Sequence, residues 1–216
     1  MKETTDACNQ NAFCCSVSHA LQQRLCRGCL HIRLKPKQEI LFEGSSRQAA
    51  VITSGVVISI FLTTDGKQHC AEMLKRGDLL GVDNLYHSNK AQTGYLMALS
   101  DVSLCLFPIE IFQTLYQQSP EFAKEVLSSL SARLHKSLQH QLYMRCASSE
   151  DKVRTILDYL ESESIDTSYL THEDLAMIAD LNRVTVTRAI KTIHELDYTP
   201  QNSSSPDATM PKVIAP

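Results

Sequence analysis

Leu170 to Ile193 reads LTHEDLAMIADLNRVTVTRAIKTI, and its spacing predicts two short helices joined by a tight turn. Thr171 is placed to cap the first helix, with Asp174 three residues on as its capping-box partner. Leu175, Ile178 and Ala179 recur at the helical period and give it one apolar face. Ala179-Asp180-Leu181 is the expected turn. Asn182 then caps a second helix whose inward residues are Val186, Ala189, Ile190 and Ile193. Arg183, Val184, Thr187, Arg188 and Lys191 are left facing out. That layout is the one a helix-turn-helix uses to read double-stranded DNA. Arg reads guanine through two donors and Val meets a thymine methyl group. Asn182 and Thr185, at the helix start, suit contacts to phosphate. An ordinary helical hairpin with a solvated basic face fits the same letters.

Working back from this pair, Ser148 to Asp151 is a second capping box. Val153, Ile156, Leu157 and Leu160 follow it at one-face spacing. Ser119-Pro120-Glu121 reads as the cap and first turn of a long helix. Leu127, Leu130, Leu134, Leu138 and Leu142 stripe it at steps of three and four. Running to about Ala147, it spans roughly 40 Å. One narrow stripe on so long a helix predicts packing against a second copy, hence a homodimer. The alternative is a helix lying on its own chain.

From about 32 to 107 the pattern changes to short strands with turns at Glu43-Gly44, Ser54-Gly55, Asp65-Gly66 and Gly77-Asp78. Many short strands at this spacing predict an antiparallel barrel or jelly roll. Residues 16–30 read as a helix with Leu21, Leu25, Cys26 and Cys29 on one face. The expected class is therefore α+β. Its expected parts are a Cys-rich segment over 1–15, a sensory β domain over 16–118, a dimerisation helix over 119–147, a helix-turn-helix domain over 148–197 and a flexible tail over 198–216.

Composition narrows the function. The chain has 216 residues, 43% of them hydrophobic, no Trp and a formal charge of −3. No apolar run is long enough to span a bilayer, and the first ten residues lack the apolar core of a signal peptide. A cytoplasmic protein without membrane contact is expected. Between Glu150 and Asp197 acidic residues outnumber basic ones about twofold. DNA would thus be met through a small focused face, with binding that weakens in salt. There is no P-loop, nucleophile elbow or HExxH pattern, so an enzyme is not expected.

The order of these parts resembles the CRP/FNR family of bacterial transcription regulators over roughly residues 16–196. The resemblance rests on Ile40–Gly44 (ILFEG), Ile52–Gly55 (ITSG), Asp65-Gly66, Lys75–Gly81 (KRGDLLG) and the helix NRVTVTRAIK. It implies a β domain of the cyclic-nucleotide-binding type, a dimer, pseudo-palindromic DNA sites and RNA polymerase as a partner. Members that bind cyclic AMP carry Gly-Glu and, about ten residues on, Arg-Ser. Here Gly81-Val82 and Gln92-Thr93 stand in those places. Gln lacks the paired charged donors that Arg offers a phosphate, so no cyclic nucleotide is expected. Many members have Arg-Glu where this chain has Arg183-Val184, which shifts preference toward A·T pairs. Val at that place is similar to the halorespiration regulators. Family members follow the reading helix with a winged turn. After Leu196 that pattern is degenerate or missing, which keeps open a signalling protein that does not bind DNA.

Eight cysteines in a cytosolic chain suggest metal or redox roles. The resemblance to the FNR branch implies a [4Fe–4S] cluster held by Cys8, Cys14, Cys15 and Cys105, the last standing three residues before Pro108. Cys26 and Cys29 offer a CxxC step in substitution, although both fall on the expected apolar face of the first helix. Cys70 and Cys146 read as structural. His31 or His87 would be the candidate for a haem ligand. A thiol–disulfide switch and a small organic ligand in the β domain are the alternatives to the cluster.

Overall fold

The structure is a computed structural model that describes Phe13 and residues 18–26, 29–41, 48–82 and 94–197. Expectations placed on Cys8, Cys14, Cys15, His87, Gln92, Thr93 and the tail over 198–216 lie outside these residues.

Helix α1 (His19–Cys26) leads into strands β1 (Leu30–Leu34), β2 (Glu39–Ile40), β3 (Gln48–Ser54), β4 (Val56–Leu62), β5 (Gln68–Lys75), β6 (Leu79–Leu80), β7 (Gly94–Ala98) and β8 (Val102–Pro108). They form two antiparallel four-stranded sheets, ordered β1-β8-β3-β6 and β2-β7-β4-β5. This is a jelly-roll sandwich, so of the two expected arrangements the closed barrel falls away. Alternation along each strand sorts the side chains. Ala50, Ile52, Leu104 and Leu106 of one sheet meet Val57, Leu74, Leu96 and Ala98 of the other in the interior. Their neighbours in sequence point away and make two further apolar faces. Ala49, Val51, Leu79 and Phe107 lie on the back of the first sheet. Val56, Ile58, Ile60, Met97 and Leu99 lie on the back of the second.

The β3–β4 turn depends on Gly55. Its φ is +83°, and a Cβ there would meet the Asp101 carbonyl oxygen at 2.4 Å. The turn at Ser54-Gly55 was legible for that reason.

Helices follow: α2 (Ile109–Gln118), α3 (Pro120–Cys146), α4 (Ser149–Ser162), α5 (His172–Ala179) and α6 (Arg183–Asp197). Ser119 caps α3 by accepting a hydrogen bond from the Phe122 amide, with Pro120 in the first turn. Ser148 caps α4 in the same way through the Asp151 amide. Phe13, α1, α2 and the start of α3 cover the back of the first sheet, where Phe112 stacks on Phe107 and meets Phe122 edge-on at 5.1 Å. Helices α4, α5 and α6 cover the back of the second sheet. Among the described residues no helix is long and apolar enough to cross a membrane.

Two expectations about the first forty residues need correction. Helix α1 stops at Cys26, so Cys29 is not on its face but in the link to β1. Strand β1 itself was read only in part. Gly28 is the helix stop in the sequence, and LHIRL alternates apolar and polar as an edge strand does. Cys146, expected to be structural, is exposed at the end of α3.

Candidate functional site

Two places in the chain carry chemistry. The first is the α5–α6 pair. Thr171 and Asp174 form the reciprocal capping box at the start of α5. Asp180 ends that helix in the left-handed conformation at φ 52° and ψ 49°, which turns the chain toward α6. Asn182 Oδ1 accepts from the Thr185 amide at 2.8 Å and from its hydroxyl at 2.9 Å, capping α6. Val186, Ala189 and Ile193 are buried against α4 and α5, with Ile190 partly buried beside them. On the other side Arg183, Val184, Thr187, Arg188 and Lys191 are exposed, Val184 at 59%.

Some of those outward groups also have internal work. The Asn182 oxygen and the Thr185 hydroxyl hold the cap together, which leaves the amide hydrogens of Asn182 to donate outward. The Thr187 hydroxyl donates to the Arg183 carbonyl and lies 2.8 Å from His172 Nδ1 on α5. It links the start of α5 to α6.

The second place lies where β1 and β8 meet. His31 and Cys105 are direct partners in the antiparallel ladder, so their side chains rise on the same face of the first sheet. Cys29, two residues before His31, brings its Sγ to 3.7 Å from His31 Nε2. The ligand atoms of Cys29, His31 and Cys105 all lie within 4.8 Å of one another. Cys26, at the end of α1, joins them. Its carbonyl accepts a hydrogen bond from the Cys29 amide at 3.3 Å, and its thiol reaches the Cys29 thiol. Hydrogen bonds donated by the Cys105 and Cys26 thiols, with a smaller charge effect from His31, pull the Cys29 thiol down to about 3. Cys105 is buried, Cys26 and Cys29 half-buried and His31 exposed, so the group sits at the edge of the sandwich with a way in from solvent. By contrast, burial pushes the Cys70 thiol on β5 up to about 12.

Of the expected cluster ligands, only Cys105 is among the described residues. The structure sets it beside Cys26, Cys29 and His31. Sequence reasoning named the two cysteines as substitutes but passed over His31 as their neighbour. The missed signal was the pairing of residues 74 positions apart, which no local pattern carries.

The stripe on α3 divides. Phe122 and Val126 are buried against the first sheet and Leu130 is half-buried there. Leu127, Leu134, Leu138 and Leu142 are 67%, 61%, 51% and 63% exposed. Val82, at the place where cyclic-AMP binders carry Glu, is buried in the apolar cluster under α1 and α2.

Comparison with known proteins fits this architecture. Residues 31–119 match the family model described as cyclic nucleotide-binding domain. No curated protein sequence matches the chain. Among solved structures, the c-di-GMP-responsive global regulator CLP of Xanthomonas campestris is similar with a TM-score of 0.68 at 16% identity, covering 86% of this chain and 96% of that one. A protein of Eubacterium rectale described as a transcriptional regulator of the CRP/FNR family gives 0.71 at 16% identity, over 87% and 88%. A CRP/FNR-family transcriptional regulator of Thermus thermophilus gives 0.62 at 18% identity, over 81% and 90%. The chain has the fold of CRP/FNR-type transcriptional regulators.

Proposed function

We propose that the protein is a dimeric transcription regulator that acts in the cytoplasm. In this reading α6 reads DNA and the jelly roll senses a redox or gaseous signal through its thiols. The observation that carries it is α6 itself. One face is fully packed, and the opposite face presents Arg183, Val184, Arg188 and Lys191 to solvent. Arg183 and Arg188 are the guanine readers, Val184 the thymine-methyl contact, and Asn182, Thr185 and Thr187 the groups nearest the phosphates. The exposed leucines of α3 are the dimer seam, which would set two copies of α6 about one DNA turn apart on a pseudo-palindromic, A·T-rich site. RNA polymerase is then the natural downstream partner. On the sensor side, a [4Fe–4S] cluster using Cys105 with Cys8, Cys14 and Cys15 is the form that the FNR resemblance implies.

The test is a gel-shift titration on A·T-rich palindromic duplexes at several salt concentrations, under reducing and oxidising conditions. Specific binding that falls steeply with salt is expected. Arg183→Ala and Arg188→Ala should each relax specificity at their own base and weaken binding by about 1–3 kcal/mol. Leu134→Glu with Leu138→Glu should yield a folded monomer that binds weakly. No binding in any redox state would leave a signalling protein without a DNA target.

A second reading has its own observation. A cavity of about 120 Å³ lies between β5, α3 and α4 and is lined by Glu72, Arg133, Lys136, His140 and Tyr159 among others. The Tyr159 hydroxyl there is buried and has no hydrogen-bond partner among the described residues. A small organic acid would satisfy it, and thermal stabilisation by such acids under reducing, metal-free conditions separates this sensor from a thiol-based one.

A further inference from the structure

Among the described residues, the donors gathered at Cys105 do not suit the cluster. A four-iron cube stands between its ligands and spreads them, and it takes four thiolates. Here three ligand atoms already crowd within 4.8 Å of one another, and one of them is an imidazole nitrogen. The spacing fits a smaller occupant. A tetrahedral zinc-class ion has bonds of about 2.3 Å to sulfur and 2.0–2.1 Å to nitrogen, which puts neighbouring sulfur and nitrogen ligands about 3.6 Å apart and two sulfurs about 3.8 Å apart. Cys29 Sγ and His31 Nε2 are 3.7 Å apart.

We infer that Cys26, Cys29, His31 and Cys105 form a Cys₃His site for a single thiolate-preferring divalent ion of the zinc class. The ladder fixes half of it, because His31 and Cys105 are register partners and cannot move apart without breaking the β1–β8 pair. The CxxC step supplies the rest. The Cys29 amide donates back to the Cys26 carbonyl, and the Cys26 thiol reaches Cys29, which places it as the fourth ligand beside the three already gathered. Three soft sulfurs and one imidazole in a closed set of four match the donor preference of zinc and exclude magnesium and calcium, which take oxygen ligands. The ion would join three pieces of chain: the end of α1, the start of β1 and the middle of β8. A closed four-ligand shell of this kind serves structure, with loss of metal or thiol oxidation as the way it would change state. The site stands or falls independently of DNA reading, because its test counts metal.

The full chain, purified under reducing conditions, is stripped with chelator and titrated with Co²⁺ and then Zn²⁺. One equivalent of Co²⁺ per chain with the intense visible bands of tetrahedral thiolate coordination, displaced by Zn²⁺, is expected. His31→Gln, at an exposed position, should weaken binding at least 100-fold with unchanged circular dichroism, and Cys29→Ser should do the same. Cys105 is buried, so Cys105→Ser is judged only if it folds. The triple variant Cys8→Ser, Cys14→Ser, Cys15→Ser and the control Cys70→Ser should bind as the parent does. Three results would overturn the site. One is a signal lost in the N-terminal triple variant but kept in His31→Gln. Another is anaerobic reconstitution to near-equal iron and acid-labile sulfide at about four per chain. Failure of Co²⁺ to bind at one equivalent would also overturn it and leave the same thiols as a disulfide switch.

Discussion

The two sheets bury their outer faces in different ways. Behind the first, Phe107, Phe112 and Phe122 interlock and helices α1 to α3 close over them, with sulfur and imidazole at the edge. Behind the second, Ile58, Ile60 and Leu99 meet α4 to α6 across an apolar centre ringed by polar links. Lys37 pairs with Asp174, Lys75 with Glu163, His69 with Asp180 at 2.9 Å, and the Tyr169 hydroxyl donates to the Leu99 carbonyl. Each of these ties the sandwich to the C-terminal helices. An apolar centre with a polar rim is how protein interfaces are built, whereas interlocked aromatics are how a core is built. The first seam is part of the sandwich. The second is a joint, and the α5–α6 pair rides on it.

The contrast can be broken first at its stronger side. Phe112→Ala should cost about 3–5 kcal/mol, read by equilibrium denaturation, and should disorder the thiol group with the sandwich. A loss under about 1 kcal/mol would show that the first seam is no more integral than the second. Ile60→Ala removes buried volume from the joint and should cost about 2–4 kcal/mol. There the expected sign is different in kind: limited proteolysis should cut near Ala147 and release the C-terminal helices, while the sandwich keeps its own transition. A single cooperative loss of everything would erase the distinction.

The thiols sharpen the comparison next. In metal-free protein, the Cys29 thiol is ionised above its depressed value of about 3, so its alkylation rate should stay flat between about pH 5 and pH 9. Cys70, in the joint, is held protonated by burial up to about 12 and should stay unlabelled over the same range. Peptide mapping by mass spectrometry reads both. Equal labelling at neutral pH would contradict the two environments.

The rim should matter least. Lys37→Ala removes a half-exposed pair and should cost at most about 1 kcal/mol. Burial alone would raise the Asp174 carboxyl, but bonds from Lys37 and Thr171 outweigh it and hold it below its ordinary 3.8. Its contribution is therefore full above that ordinary value and lost as pH falls beneath it. The joint should loosen in acid before the sandwich does, visible as earlier proteolytic release of α4 to α6.

What the sequence disclosed was local. Thr171 with Asp174, Ser119 with Pro120, and Ser54-Gly55 each carry their structural reason within three or four residues, so each could be read before any fold was known. The packed and open faces of α6 were legible for the same reason, since the helical period separates them. Cys29 was misplaced because a CxxC step also satisfies that period, and only Gly28 argued against continuing the helix. The place of His31 beside the thiols was missed for a different reason. Its partner Cys105, on the neighbouring strand but distant in the sequence, is set by strand register, and register is a property of the assembled sheet. The opposite faces of one sheet, likewise, cannot be assigned to different covers until the helices are in place.

Helix α3 connects the two seams. Its first turns are set in the aromatic core with Phe122 and Val126. Arg133 holds its middle to Glu72 and the Leu79 carbonyl. At its far end the Tyr143 hydroxyl lies 2.7 Å from Thr155 Oγ1 on α4. Beyond Arg133 the helix runs on for roughly 20 Å, and a rod held at one end is a lever. A tilt of about 10° at that clamp carries the tip by roughly 3–4 Å. The molecule thus has the dimensions to turn a small repacking of the first seam into a shift of several ångströms where the C-terminal helices begin.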